Sequence, residues 1–287
     1  MSEYEIGGLK LKNRVMTAAG TVGFGVSYAD YYDLDILGAL VLRSLTLKPR
    51  DGSPMPRIWE TASGMMNRVG LQNPGLDKFM STYYSSLCKL TVPVIASVCG
   101  APYELKELAR ALNTAEKISA IEVNLYTTYD EYRELGYSGY AKLVEDRVGA
   151  ACAHFTRPVW VKLMPQAGDI VLTAKVAKSC GASAAVACNS FWSMAVDPST
   201  GKSRLSTRVG SLSGPCIKPI SVFNASRVAS ETGLDVIGAG GIACADDARE
   251  YLLVGAKAVA IGSGCFSEPE LVKKIIAEIE GEDTSGK

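Results

Sequence analysis

Apolar and polar positions follow two rhythms along this chain. Continuous apolar runs occupy 14–20, 39–46, 93–100, 120–125, 158–164, 184–190, 235–242 and 258–264. A run without a polar break predicts a strand buried on both faces, as in a parallel sheet. Between the runs, apolar residues fall three and four apart, the spacing of one helix face. This predicts helices over 28–37, 76–90, 103–117, 140–154, 170–180, 218–230, 245–254 and 268–280. Eight strand–helix units predict an α/β fold, a closed (β/α)8 TIM barrel rather than an open doubly wound sheet. One domain over 1–287 is expected, with a frayed tail at 281–287.

Each predicted strand ends on glycine or a polar residue: Gly20, the stretch 43–46, Ser97, Asn124, Lys162, Asn189, Gly240 and Gly262. Barrel active sites sit at that end. Three connections, 47–75, 126–139 and 191–216, are too long for simple turns and are expected to be lids over it. The lid at 126–139 carries five tyrosines, Tyr126, Tyr129, Tyr132, Tyr137 and Tyr140, which either pack on one another or offer a phenol to a substrate.

The last two strands lead into Gly238-Ala-Gly-Gly-Ile242 and Ile261-Gly-Ser263. Glycine lets backbone N–H groups approach an anion, and the helix after the first turn adds positive partial charge. Two such turns at these strands predict a phosphate cup. Gly238-Ala-Gly-Gly-Ile-Ala243 also fits a dinucleotide fingerprint. It does not lie in the first unit, and no acid stands about 20 residues on to hold a ribose, so a nicotinamide site is rejected. Gly201-Lys-Ser203 lacks the rest of a P-loop and predicts a hairpin turn, and His154 a helix-end cap.

Composition narrows the partners. Lys plus Arg and Asp plus Glu each total 30, and without a basic stripe nucleic acid is excluded as the main partner. No apolar run reaches the roughly 18 residues of a membrane span. Met1-Ser-Glu-Tyr-Glu-Ile6 has no basic-then-apolar signal, so a cytoplasmic location is expected. None of the eight cysteines forms a C-x-x-C pair, so reduced thiols and no metal site are expected.

Further segments fall in order at the strand ends. They are Val15-Met-Thr-Ala-Ala-Gly-Thr21, Ser44-Leu-Thr-Leu-Lys-Pro-Arg50, Pro54-Met-Pro-Arg57, Asn67-Arg-Val-Gly-Leu-Gln-Asn-Pro-Gly75, Val161-Lys-Leu163 and Leu212-Ser-Gly-Pro-Cys-Ile-Lys-Pro219. With the glycine turns they span nearly the whole chain. In this the chain resembles the catalytic subunit of dihydroorotate dehydrogenase, nearest the class that works with a separate electron-transfer subunit. The resemblance implies an FMN oxidoreductase acting on a CH–CH bond of a dihydroorotate- or dihydropyrimidine-like small molecule. It implies flavin contacts at Ala19, Gly20, Ser44, Ser97, Lys162, Ser213, Gly214, Gly240, Gly241, Gly262 and Ser263. It implies substrate contacts at Asn67, Leu71, Asn124, Tyr129, Asn189 and Ser190, and as protein partners a homodimer mate and an electron-transfer subunit. The chemistry agrees: Lys162 at a buried strand end needs an anion or an acceptor, which a flavin N1–C2=O edge supplies, with a structural ion pair as the second reading, and amides suit an imide-like edge.

Departures concentrate on the substrate side. The family carries Asn-x-Ser-Cys-Pro-Asn or Asn-x-Ser-Ser-Pro-Asn after strand four, with the fourth residue as base. Here the stretch is Asn124-Leu-Tyr-Thr-Thr-Tyr129, so Thr127 takes the base position and Tyr129 replaces the last Asn. The catalytic lysine at the end of strand two is Arg43, which is planar and never neutral. A retained flavin site and a rewritten substrate site are expected, with poor turnover of dihydroorotate. Two other readings stay open: a flavin-binding subunit without catalysis, and a flavin-free aldolase- or synthase-type barrel with a phosphate substrate.

Overall fold

The computed structural model describes residues 4–283. The start of the N-terminal stretch (1–3) and most of the tail (284–287) lie outside the described residues.

Eight strands form the central sheet. They are β1 (Val15–Thr17), β2 (Leu40–Val41), β3 (Val94–Val98), β4 (Ile118–Asn124), β5 (Val159–Lys162), β6 (Ala184–Ala187), β7 (Asp235–Ala239) and β8 (Ala258–Ile261). Their order is β1-β8-β7-β6-β5-β4-β3-β2, and a parallel bridge from Met16 to Ala39 closes the circle. The helices packed outside are α1 (Gly75–Thr82), α2 (Pro102–Asn113), α3 (Tyr129–Cys152), α4 (Ile170–Ser179), α5 (Lys218–Thr232), α6 (Ala245–Leu253) and α7 (Leu271–Asp283). This is the expected (β/α)8 barrel. Among the described residues no helix is long and apolar enough to cross a membrane.

Two cores hold the barrel. The larger lies between strands and helices. The smaller fills the barrel itself, where Met16, Ile95, Trp160 and Ile237 alternate with alanines such as Ala39, Ala120 and Ala258. Large side chains interleaved with small ones fill a narrow interior without voids. A hairpin of Tyr4–Ile6 and Leu9–Leu11, which the sequence pattern does not reveal, plugs the lower end. Ile6 and Leu11 join the inner core, and Trp160 Nε1 donates to the Gly7 carbonyl at 2.9 Å.

Local chemistry revises several elements. The helix expected over 28–37 is two 3-10 turns, Val26–Tyr28 and Leu34–Ile36, because the Asp33 carboxylate takes the Asp35 N–H and stops one helix from running through. The second strand shrinks to Leu40–Val41. The lid expected over 126–139 is mostly helix. Thr128 and Glu131 exchange hydrogen bonds as a capping box, and α3 starts at Tyr129, broken only at Gly136 with φ 63°.

The two longer connections are not loose lids. Phe191–Ser193, Gly210–Ser213, Gly64–Asn67 and Ile58–Thr61 pair antiparallel in that order into a second sheet over the barrel mouth. Within it, 201–203 is the expected turn: Gly201 N–H donates to Asp197 O at 2.8 Å and Val196 bridges Ser203. His154 Nδ1 lies 3.0 Å from the Ala150 carbonyl at the end of α3, as a cap should.

Candidate active site at the barrel mouth

The strand ends and the cover sheet enclose a cavity of about 870 Å³. That is within the range of pockets for small ligands and cofactors, roughly 300–1,000 Å³.

Its floor is a single hydrogen-bonded chain. Ser97 and Ser44 hydroxyls lie 2.9 Å apart, Asn124 Nδ2 donates to Ser44 Oγ at 3.0 Å, and Asn189 Nδ2 donates to Asn124 Oδ1 at 3.1 Å. Ser190 then donates to Asn189 Oδ1 through its N–H, at 2.8 Å, and its hydroxyl, at 3.3 Å. Four strand ends that the sequence names separately are thereby locked together. An amide fixed at one end presents its free edge in one orientation, which is what recognition of a flat polar ring needs.

Lys162 ends β5 in register with Asn124 and is only 7% exposed. Among the described residues its ammonium makes no hydrogen bond or ion pair, although it lines the cavity. Its donors are left free for an acceptor that arrives with a ligand. Next to it inside the barrel lies Glu122, on the same face of β4 as Ala120 and Asn124 and fully buried. Burial pushes the Glu122 carboxyl up; the Lys162 charge and the Ser97 hydroxyl oppose that. Its Oε1 has no partner. Sequence reasoning missed Glu122, although one acid within an apolar strand was the signal.

The two glycine turns face the cavity. Gly240 and Gly241 have φ of 127° and 71°, and both line the cavity with Gly262 and Ser263. A Cβ at Gly241 would sit 2.6 Å from Lys218 Cβ, so only glycine fits. The Tyr251 hydroxyl, on α6, donates to the Gly240 carbonyl at 2.6 Å. In a trans peptide the following N–H points the opposite way, so Tyr251 turns the Gly241 N–H away from itself. Tyr251 was also missed: as a buried tyrosine on a helix face it reads as core. Ala18, Ala19, Gly20 and Ala260 line the same side.

The cover delivers Asn67 and Ser213, which sit on paired strands with Ser211 opposite Asn67 and Met65 opposite Ser213. Leu71 also lines the cavity and is the one non-glycine with positive φ among the described residues, at 55°. The Asn73 amide holds it by donating to the Leu71 carbonyl at 2.7 Å.

Four predicted residues stand back from the cavity surface. Ser97 lies beneath Ser44, and Gly214 turns behind Ser213, where a Cβ would sit 2.6 Å from Gly64 Cα. Tyr129 is exposed and packs edge-on against Trp192. Thr127 is buried, and its hydroxyl donates to Glu131 Oε2 at 3.1 Å. Glu131, which the sequence reading did not single out, lines the cavity itself. Both its hydrogen bonds, from Thr127 and from the Thr128 N–H at 2.7 Å, fall on Oε2. Burial pushes the Glu131 carboxyl up, but those bonds and the Arg147 charge together outweigh it and hold it below the usual carboxylate range. The tyrosines divide between the two readings. Tyr132 packs on Trp192 and Tyr140, whereas Tyr126 lines the cavity.

Arg43, from the end of β2, reaches the cavity with no ion pair among the described residues. Burial and the nearby Arg57 guanidinium push its pKa down.

Fold and site together define a TIM barrel with glycine turns at β7–β8 and a polar, hydrogen-bonded floor. A family model described as Dihydroorotate dehydrogenase matches residues 1–282. The chain is 38% identical over 276 residues to dihydroorotate dehydrogenase B (NAD(+)), catalytic subunit, of Anoxybacillus flavithermus, a match that covers 96% of this chain and 88% of that one. To the protein of the same name from Maridesulfovibrio salexigens it is 39% identical over 277 residues, 96% of this chain and 91% of that one. For Thermodesulfovibrio yellowstonii the figures are 38% over 281 residues, 97% and 92%. The chain belongs to the dihydroorotate dehydrogenase family.

Proposed function

We propose that this chain is an FMN-dependent oxidoreductase acting on a CH–CH bond next to a carbonyl or carboxylate in a dihydropyrimidine-like ring, and that dihydroorotate is a poor substrate. The observation that carries this reading is the buried Lys162 ammonium, which makes no hydrogen bond among the described residues, in the same cavity as the two glycine turns. The residues fit FMN. Gly240, Gly241, Gly262 and Ser263 would hold its phosphate, Ala18, Ala19 and Gly20 leave room for its ring, and Lys162 would meet its electron-rich edge. Bound there, FMN supplies the hydride acceptor.

The chain's own groups do the rest. Asn67, Asn124 and Asn189 orient the substrate ring. Ser190 fixes the Asn189 oxygen, so that amide offers only one edge. Thr127 takes part in proton transfer through Glu131: the carboxylate faces the cavity and accepts the substrate proton, and the hydroxyl holds it in place. Arg43 binds a substrate anion. Electrons leave by a partner subunit, in keeping with relatives named as catalytic subunits of an NAD(+) enzyme. A homodimer is also expected, to be checked by sedimentation.

A second reading has one observation in its favour: no hydroxyl or thiol stands on the cavity surface at the family's base position, since Thr127 lies behind it. A flavin-binding subunit without catalysis would be built that way. Purified protein should be yellow, with bands near roughly 370 and 450 nm. Bleaching of those bands by a ring substrate supports the enzyme; a yellow protein that no ring substrate bleaches supports the second reading, and a colourless one sinks both.

A further inference from the structure

The function above leaves one buried carboxyl unused. Glu122 on β4 is 1% exposed, and its Oε1 has no hydrogen-bond partner. Among the described residues it forms no ion pair either. Backbone register fixes its neighbours. Ser97 on β3 stands directly opposite it, and Lys162 on β5 stands opposite Asn124, two residues further along β4. Ala120 and Trp160 belong to the inner core, and residues two apart on a strand share a face, so Glu122, Asn124 and Lys162 also point inward. Lys162 is thus the diagonal neighbour of Glu122 on that inner face, roughly 8 Å away along the backbone lattice. Two long side chains span that distance between them.

Both groups are buried, and their opposite charges cancel. The balance breaks when Lys162 meets an acceptor that turns negative, as a flavin edge does on reduction. Two anions facing one buried ammonium leave a net negative charge in a site with little water, which a carboxylate relieves by taking a proton. Its surroundings offer no easier site. The Cys188 thiol after β6 is pushed up to about 11 by burial and already holds its proton. Arg43 after β2 keeps its charge throughout. Ser97 and Asn124 do not titrate, and the other strands present Met16, Val41, Val186, Ala239 and Ala260 to the interior. The proton has a path: the Ser97 and Ser44 hydroxyls lie 2.9 Å apart, and Ser44 lines the cavity.

We propose that Glu122 is a positioning residue that acts through Lys162: it is ionised while the acceptor in the cavity is neutral, and it takes one proton from solvent when that acceptor gains a negative charge. The carboxylate gains one O–H bond, solvent loses that proton, and no electron passes through Glu122. This deepens the FMN reading above and rests on it.

The test is the midpoint potential of the purified flavoprotein against pH, set with an electrode and mediators. Its slope counts the protons taken up per electron pair. Near neutral pH the parent should take up about two, one with the flavin and one at Glu122, whereas Glu122→Gln should take up about one, at a higher potential. Glu122→Met, which buries no amide, serves if the first variant does not fold. A parent count of about one overturns the inference, whatever the variants do. So does a count of about two that survives the substitution, because the extra proton then sits elsewhere, as on Lys162. The potential needs no substrate, so a protein that no ring substrate bleaches refutes the oxidoreductase reading and leaves the proton count standing. A colourless protein refutes that reading by its colour, and this inference with it.

Discussion

The two sides of the barrel mouth are made of different material. At β7 and β8 the cavity wall is backbone, with Gly240, Gly241 and Gly262 beside Ala18 and Ala260. Across from it the wall is long side chains, Arg43, Arg57, Arg68, Arg147, Tyr126 and Glu131. Peptide N–H groups are aimed by the fold, and at Gly241 a φ of 71° and the crowding of Lys218 leave no room for exchange. A wall of side chains can change one residue at a time while every strand stays in place. One barrel can thus keep a cofactor site while it acquires a new substrate site.

The sharpest break in that comparison is Gly241→Asp. It puts a Cβ against Lys218, imposes strain at positive φ and adds a like charge to the cup. The purified variant should be colourless with an unchanged circular dichroism spectrum; one that stays fully yellow would remove the cup from the flavin site. Next in size is the substrate side. With Arg43, Thr127 and Tyr129 in place of the family's residues, dihydroorotate turnover should fall about 10²–10⁴-fold short of an ordinary relative, the scale of a lost proton-transfer group. Turnover at an ordinary rate in a steady-state assay would show that the side-chain wall had changed without changing its ligand.

Smaller effects sharpen the contrast. Thr127→Val keeps shape and removes one hydroxyl, so flavin content should hold while reduction by the true substrate slows about tenfold. Glu131→Gln should slow it at least as much. If neither variant slows stopped-flow reduction, proton transfer runs elsewhere, and Tyr126 is the next group to remove.

The least effect concerns pH. Glu131 is held below the ordinary carboxylate range, so its ionised form, and the helix cap it makes, is fully present at neutral pH. The cap is lost as pH falls through that lowered value, beneath the ordinary glutamate pKa of about 4.3. Since a helix cap contributes roughly 1 kcal/mol, acid unfolding of Glu131→Gln should lack a loss of about that size. Identical acid limbs in parent and variant would count against it.

What the chain alone determined follows from short-range physics. Unbroken apolar runs between helical repeats define eight parallel strands, and residues at their ends must gather on one face, so Ser44, Asn124, Lys162, Asn189 and the glycine cup were legible beforehand. Thr128 and Glu131 carried a capping signature, yet the start of α3 went unseen because the same stretch is rich in tyrosine and reads as a lid. Only tertiary structure decided the rest. The cover sheet pairs segments whose partners lie about 145 residues apart, as with Met66 and Leu212, and no local pattern encodes such a pairing. Tyr251 and Glu122 take their surroundings from the strand ends packed against them, and Thr127 and Glu131 part because the helix cap buries one and leaves the other on the cavity. Nor does anything in the order of residues announce that arginines at 43, 50, 57, 68 and 147 share one chamber; only the fold brings them together.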